Sequence, residues 1–276
     1  MLAALIIVFR EVFEAGLIVG IVLAVTGSVP HRNRWIGGGV LAGVLAACLV
    51  AAFAGALSQL FKGMGQELFN AAILGIAVIM LTWHNVWMAR HGKEIAGEMR
   101  AVGQAVAEGS KSLLALAVVV GVAVLREGCE VALFLYGVAA SDGGSALSLT
   151  VGGFIGLALG GAVCLLTYFG LMRIPQRALF ATTTILITLL AAGMAAQAVA
   201  FLERASWLNS LDKVVWDSSW LLSEGSIVGR ALHTLVGYTD QPTEMQLVIY
   251  VAVVVVTVML MRLTRSERSA HAVVAG

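Results

Sequence analysis

Two short charged motifs interrupt an otherwise apolar sequence. Arg10-Glu11-Val12-Phe13-Glu14 and Arg126-Glu127-Gly128-Cys129-Glu130 share the pattern Arg-Glu-x-x-Glu. On a helix, residues three and four apart are neighbours, so the arginine and both glutamates of each motif share one face. Each motif is then a compact cluster of two carboxylates and one guanidinium. Two arginines against four glutamates leave a formal acidic surplus. Carboxylate oxygens are hard donors, suited to Fe³⁺, Mg²⁺, Mn²⁺ or Ca²⁺ rather than Cu⁺. Glu11, Glu14, Glu127 and Glu130 are therefore the candidate metal ligands, with Arg10 and Arg126 balancing charge. Three readings are open to these residues: passage of a metal cation, a proton route through the same carboxylates, or ion pairs that hold helices together.

The surroundings decide where such clusters sit. The chain has 276 residues, 60% of them hydrophobic and only 12% charged, against about 25% charged in soluble domains. Apolar runs long enough to cross a hydrocarbon core recur along it. The expected fold class is an all-α polytopic membrane protein. Net charge is +1, which gives no footprint for nucleic acid. Cys48, Cys129 and Cys164 all lie in apolar runs and read as small buried hydrophobes. Cys129 falls inside the second motif, but carboxylates outrank it as ligands for a hard ion. No nucleophile–base pair or phosphate-binding loop is present, so neither an enzyme nor an organic cofactor is expected. The N-terminus lacks a basic leader, and Arg10 and Glu11 interrupt its apolar run, so it reads as the first span of the mature chain.

Seven spans are expected, at Leu2–Val25, Ile36–Leu57, Leu68–Met88, Leu113–Ala140, Leu147–Met172, Leu179–Leu202 and Met245–Leu263. Arg32, Arg34, Arg90, Lys93, Arg100, Lys111, Arg173, Arg177, Arg262, Arg265 and Arg268 then fall on one side, against Lys62, Arg204, Lys213 and Arg230 on the other. The positive-inside rule puts the N-terminus outside and the C-terminus in the cytoplasm. The expected layout is a single membrane domain, 1–276: a first three-helix repeat at 1–90, a cytoplasmic loop at 91–112 and a second repeat at 113–202. An outer loop at 203–244, a seventh helix at 245–264 and a cytoplasmic tail at 265–276 complete it. In the outer loop, Trp207, Trp216 and Trp220 suggest an interfacial helix, and its acidic residues suggest a vestibule that gathers cations.

The motifs recur in register with their surroundings. Each runs into a small-residue stretch ending at Gly20 or Gly137, and the next span opens on glycines: Gly37, Gly38 and Gly39, or Gly152 and Gly153 followed by Gly156 and Gly160. Small residues at such spacings allow close helix approach. Three spans per unit is odd, so the second unit enters from the opposite face, giving an inverted 3+3 repeat plus a seventh helix. Both motifs reach mid-membrane, the first roughly 15 Å from its outer end at 1.5 Å per residue. Secondary positions are His84, with Thr82 and Asn85, and Glu94 and Glu98, beside His91, as candidate exit residues. Glu67 and Asp142 are candidates at the entrance, and Tyr136 and Gln197 are polar positions facing a pore.

With its paired motifs in spans one and four, the sequence resembles the oxidase-dependent, high-affinity iron permeases, which include the bacterial Efe-type permeases. The resemblance covers nearly the whole chain, including the glycine-rich second and fifth spans, the turn at Arg173, Pro175 and Arg177, and Gly237-Tyr238 before the last span. The family motif is Arg-Glu-Gly-Leu-Glu; here the middle pairs are Val12-Phe13 and Gly128-Cys129, with every charged position kept. The resemblance implies iron, as Fe³⁺ or Fe²⁺, carried as substrate into the cell across the bacterial cytoplasmic (inner) membrane. It implies lipid as surroundings and periplasmic or extracellular iron-binding and iron-oxidising proteins as partners. Without a soluble oxidase domain, the chain looks like the bacterial permease subunit alone. The residues by themselves name a metal cation, and equally allow another divalent-cation or proton-coupled transporter, or a structural subunit.

Overall fold

The computed structural model describes residues 1–60, 66–142, 146–170, 176–208 and 210–274. Lys62 and the turn at Arg173 and Pro175 lie outside the described residues. The architecture is all-helical: α1 (Leu2–Val25), α2 (Arg32–Leu60), α3 (Gln66–Ala107), α4 (Leu113–Asp142), α5 (Ala146–Tyr168), α6 (Gln176–Arg204), the short α7 (Ile227–Val236) and α8 (Glu244–Val274). Among the described residues the only strand-type pairing is a single bridge between Val214 and Thr243.

Helix is what a bilayer demands of an open chain, because every backbone polar group must find its partner within the segment. Five helices are long and apolar enough to cross a membrane, with mean hydropathy between 1.6 and 2.3 over Arg32–Phe53, Glu67–Met88, Ala146–Tyr168, Phe180–Arg204 and Glu244–Leu263. α1 and α4 have the length, 24 and 30 residues, but each carries the three charges of its motif. Apolar side chains cover the outside of the bundle: Leu49, Phe53, Ile79, Leu147 and Phe154 are each about 70% exposed. In water such a surface would be an association patch, whereas facing lipid it is the expected solvent-compatible face.

Small residues set the packing of the motif helices. α1 lies along α5, and α2 along α4. A Cβ added at Gly156 would stand 2.5 Å from the Leu5 carbonyl oxygen, and one at Gly160 would stand 2.9 Å from that of Phe9. On the other pair, a Cβ at Gly43 would stand 2.6 Å from the Gly121 carbonyl oxygen, while Gly39 faces Ala117 and Gly128 faces Ala47. In both pairs the contacts advance together along the two chains, so α1 and α5 run parallel, as do α2 and α4. By contrast Gly20, Gly37 and Gly38 have open space around them; among the glycines that open α2, only Gly39 belongs to the stripe.

α1 and α4 run antiparallel through the middle. One apolar cluster joins Ala3 and Ile7 near the start of α1 to Phe134 and Val138 late in α4, with Leu74 and Leu81 of α3 and Met194 of α6. A second joins Val22 at the end of α1 to Leu116 and Val120 at the start of α4, with Ile36 of α2. The charged motifs fall between these two clusters.

Three expectations about connecting segments are corrected. The segment read as a cytoplasmic loop at 91–112 is helical as far as Ala107, because α3 continues past its apolar part as one 42-residue helix. The tail likewise continues α8 to Val274. In the outer segment the helix is not at the tryptophans: residues 212–226 form turns and extended chain, and α7 starts only at Ile227, where the Ser226 side chain accepts from the Gly229 amide. The local cause is Asp217, which accepts from both the amide (2.9 Å) and the hydroxyl (2.6 Å) of Ser219 and turns the chain there. The Ser219 bonds, with one from Gln241, hold the Asp217 carboxyl below its usual range.

Several acidic residues of this segment are engaged in local bonds. Glu203 accepts from Thr243 and Gln246, and Asp240 accepts from the Glu224 amide. Gly237 closes α7 at φ +73°, where a side chain would be strained, and touches Gly193 of α6. Tyr238 donates to the Leu222 carbonyl and shares a 2.7 Å bond with Ser218, fastening the segment down.

The glycine stripe makes a signed prediction. Gly43→Ala forces Cβ against Gly121 and lowers stability by about 1–3 kcal/mol, the usual cost of overpacking. Gly37→Ala meets nothing and raises stability by about 0.5–1 kcal/mol through the lost freedom of the unfolded chain. Thermal unfolding of the two purified variants beside wild type checks both signs.

Candidate metal centre

The i, i+4 spacing forms the same bond in both motifs. Arg10 Nε donates to Glu14 Oε1 at 2.7 Å, and Arg10 Nη1 stands 3.8 Å from Glu11 Oε1. Arg126 Nε donates to Glu130 Oε1 at 3.1 Å and stands 3.6 Å from Glu127 Oε1. The two copies differ in burial. Arg10, Glu11 and Glu14 are sealed, each 3% exposed or less. The Arg126 side chain is 32% exposed; its guanidinium lies 4.3 Å over the Trp87 ring and reaches the Met88 sulfur. A cavity of about 390 Å³ between α3 and α4 runs from Ile79 and Trp83 at the bundle surface to His84, Arg126 and Glu130.

His84 joins the halves. Its Nε2 lies 3.7 Å from Glu14 Oε2 and 4.0 Å from Glu11 Oε2, while its Nδ1 meets Glu130 of the second motif. It is 5% exposed and sits edge-on to Phe134. Read from the sequence as a candidate exit residue, this histidine lies between the two motifs. The spacing along the sequence does not reveal this contact, because α3 brings the histidine from another part of the chain.

Two sets of donors are close enough to share an ion. One oxygen each of Glu11 and Glu14 with a His84 nitrogen lie within 4.8 Å of one another, as do oxygens of Glu11, Glu127 and Glu130. Glu11 belongs to both sets. Both Glu11 oxygens, Glu14 Oε2, Glu127 Oε2, His84 Nε2 and the side-chain amide of Asn85 are buried without a hydrogen-bond partner. Buried carboxylates left in this way cost several kcal/mol, so the arrangement is one that a cation would complete.

The remaining candidates stand apart. Glu67 is half-buried in the first turn of α3. Glu94 and Glu98 are exposed on the extension of α3, with His91 Nε2 4.0 Å from Glu94. Asp142 ends α4, and its side chain lies outside the described residues. Tyr136 donates to the Ala51 carbonyl and ties α4 to α2. Cys129 is half-buried and unbonded to another cysteine, and no cysteine enters either donor set among the described residues. Sequence reasoning missed Trp87 and undervalued Asn85. The signal available was His84-Asn85 inside an apolar span, since polar groups at that depth mark function by default.

Removing one arginine separates the two halves energetically. Arg10→Gln leaves Glu11 and Glu14 sealed without their cation and destabilises by about 3–5 kcal/mol, the cost of breaking a buried pair. Arg126→Gln costs less, because its site opens to a cavity. Unfolding temperatures of the two variants in the same detergent measure the difference.

The comparisons agree in direction. The chain matches the Iron permease FTR1 family over residues 1–265. It is 31% identical over 254 residues to the ferrous iron permease EfeU of Escherichia coli O6:H1, covering 91% of each chain. It is 30% identical over 256 residues to the ferrous iron permease EfeU of Yersinia pestis, covering 91% of this chain and 89% of the other. No solved structure matches the chain. A match that runs through both charged motifs and every apolar helix makes this chain a multi-pass protein of a bacterial inner membrane and a member of the iron permease FTR1 family.

Proposed function

We propose that this protein carries iron into the cell through the buried cluster formed by Glu11, Glu14, Glu127 and Glu130, with Arg10 and Arg126 balancing charge. The observation that carries the reading is the convergence of four carboxylates, from two antiparallel helices, on one place inside an apolar bundle, with several oxygens left without partners. A purely structural ion-pair network would satisfy its own acceptors, as buried polar groups do in most proteins. The curated relatives are named ferrous iron permeases, which supplies iron as the cargo.

The topology belongs to the same proposal. α1 and α4 complete seven spans with the five apolar helices, N-terminus outside and C-terminus in the cytoplasm. The inverted repeat takes support from the exchange of partners: α1 lies along α5 just as α4 lies along α2, while α1 and α4 oppose each other. In this layout 1–90 and 113–202 are the two repeats around the site, joined by 91–112 and followed by 203–244, the seventh helix and the tail. Glu94 and Glu98, on the helical extension of α3, serve as cytoplasmic exit positions; Glu67 and Asp142 stand on the outer side as entrance positions. Coupling to an iron-oxidising partner outside takes its support from the family alone.

Uptake by proteoliposomes tests the path. With Fe²⁺ supplied, Glu14→Gln and Glu130→Gln each lower the initial rate at least tenfold at equal amounts of folded protein, in keeping with the loss expected when a metal site is disturbed. Wild-type rates in both variants would remove the cluster from the pathway.

A further inference from the structure

We propose that His84 is a direct ligand of the permeating ion, and that it selects a divalent transition metal over Mg²⁺ and Ca²⁺. The inference rests on the permeation reading above and adds what that reading lacks, a group that tells cations apart. Carboxylates alone suit Mg²⁺, Ca²⁺ and Mn²⁺ as well as iron, whereas imidazole favours iron, zinc, copper and nickel. A site of four glutamates would admit the abundant hard cations.

The geometry gives His84 the position of a ligand. Nδ1 faces the Glu130 carboxylate, so with a cation on Nε2 the ring proton sits on Nδ1, toward Glu130. Nε2 is buried, with Glu14 and Glu11 oxygens at 3.7 and 4.0 Å, and a cation bound there takes the place of any proton that nitrogen carries. A carboxylate behind an imidazole, fixing its ring and raising its basicity, is the usual support of a metal-binding histidine. Glu130 thus positions His84 and, through its other oxygen, stays bonded to Arg126.

The spacing suits one ion. Donors about 2.0–2.2 Å from a shared metal stand roughly 3.0–3.6 Å from each other. The donors lie within 4.8 Å of one another, so side-chain movements of about 1 Å close Nε2, Glu11 and Glu14 around a cation. The donor set is one nitrogen and two carboxylates, from α1 and α3, oriented from α4, so ion binding draws three helices together.

The test uses Mn²⁺ as a paramagnetic probe on the full chain in lipid nanodiscs, prepared with ordinary or ¹⁵N-labelled histidine. The expected electron spin-echo modulation shows a coordinated nitrogen that changes with the label, and it is lost in His84→Gln while Mn²⁺ remains bound. Bound Mn²⁺ without histidine modulation in wild type, released by Glu14→Gln, overturns the role of His84 and leaves the carboxylate pathway standing. Modulation that persists in His84→Gln also overturns it. Mn²⁺ binding that neither Glu14→Gln nor Glu130→Gln disturbs sinks the permeation site as well. In proteoliposomes, His84→Gln lowers the preference for Fe²⁺ over competing Mg²⁺ by about tenfold, the scale of effect seen when metal-site geometry is lost; an unchanged preference overturns the selectivity.

Discussion

An acidic surplus enclosed in hydrocarbon is the constraint on which the rest of this structure turns. Four glutamates and two arginines sit where water is scarce, and Glu11, Glu14 and Arg10 are almost wholly sealed. Each arginine is tied to the glutamate one helical turn away, which fixes two rotamers and leaves the other glutamate of each motif facing inward. That geometry needs regular helix at both motifs, because only a spacing of four residues delivers the guanidinium to its acceptor. The buried charge must also be surrounded by helices that approach closely enough to exclude lipid. The glycine stripes on α2 and α5 meet that need, since they let the flanking backbones approach within a carbonyl contact of α4 and α1.

The two halves are similar in plan and unequal in exposure. The first motif is closed on all sides, whereas the second opens to a cavity walled by tryptophan and isoleucine at the bundle surface. Arg126 compensates for its weaker burial by lying on the Trp87 ring, an attraction that strengthens where water is excluded. The opening lies along α3, which lines it with Ile79, Trp83 and Trp87.

The segment before α8 shows how a polar stretch is held over the bundle. The Glu203, Asp217 and Asp240 carboxylates accept local bonds from Ser219, Gln241, Thr243, Gln246 and the Glu224 amide. Gly237 then brings the end of α7 against α6 at Gly193, and Tyr250 of α8 donates to the Val236 carbonyl. The segment is therefore anchored to the same helices that enclose the site. Trp207 and Trp220 remain exposed, and such aromatic rings favour the membrane interface.

The amino-acid sequence by itself determined the class, the helices and the charged pairs. Hydropathy runs translate directly into helices, and a three-or-four-residue spacing translates directly into neighbours on one face, so the Arg10–Glu14 and Arg126–Glu130 bonds were legible before any coordinates. The Arg-Glu-x-x-Glu recurrence likewise pointed to one site made of two halves. Loop conformation was less legible: the turn at Ser219 depends on polar residues whose local hydrogen bonds compete with helix formation, while α3 keeps its helix to Ala107, beyond where its apolar run ends. Only the tertiary structure decided that His84 lies between the motifs. Its distance from them along the chain carries no information about contact, and the side of α3 that faces the charges is set by how α3 packs against α1, α4 and α6. The same packing decided that one motif is sealed and the other open, because burial is a property of neighbours that no local spacing encodes.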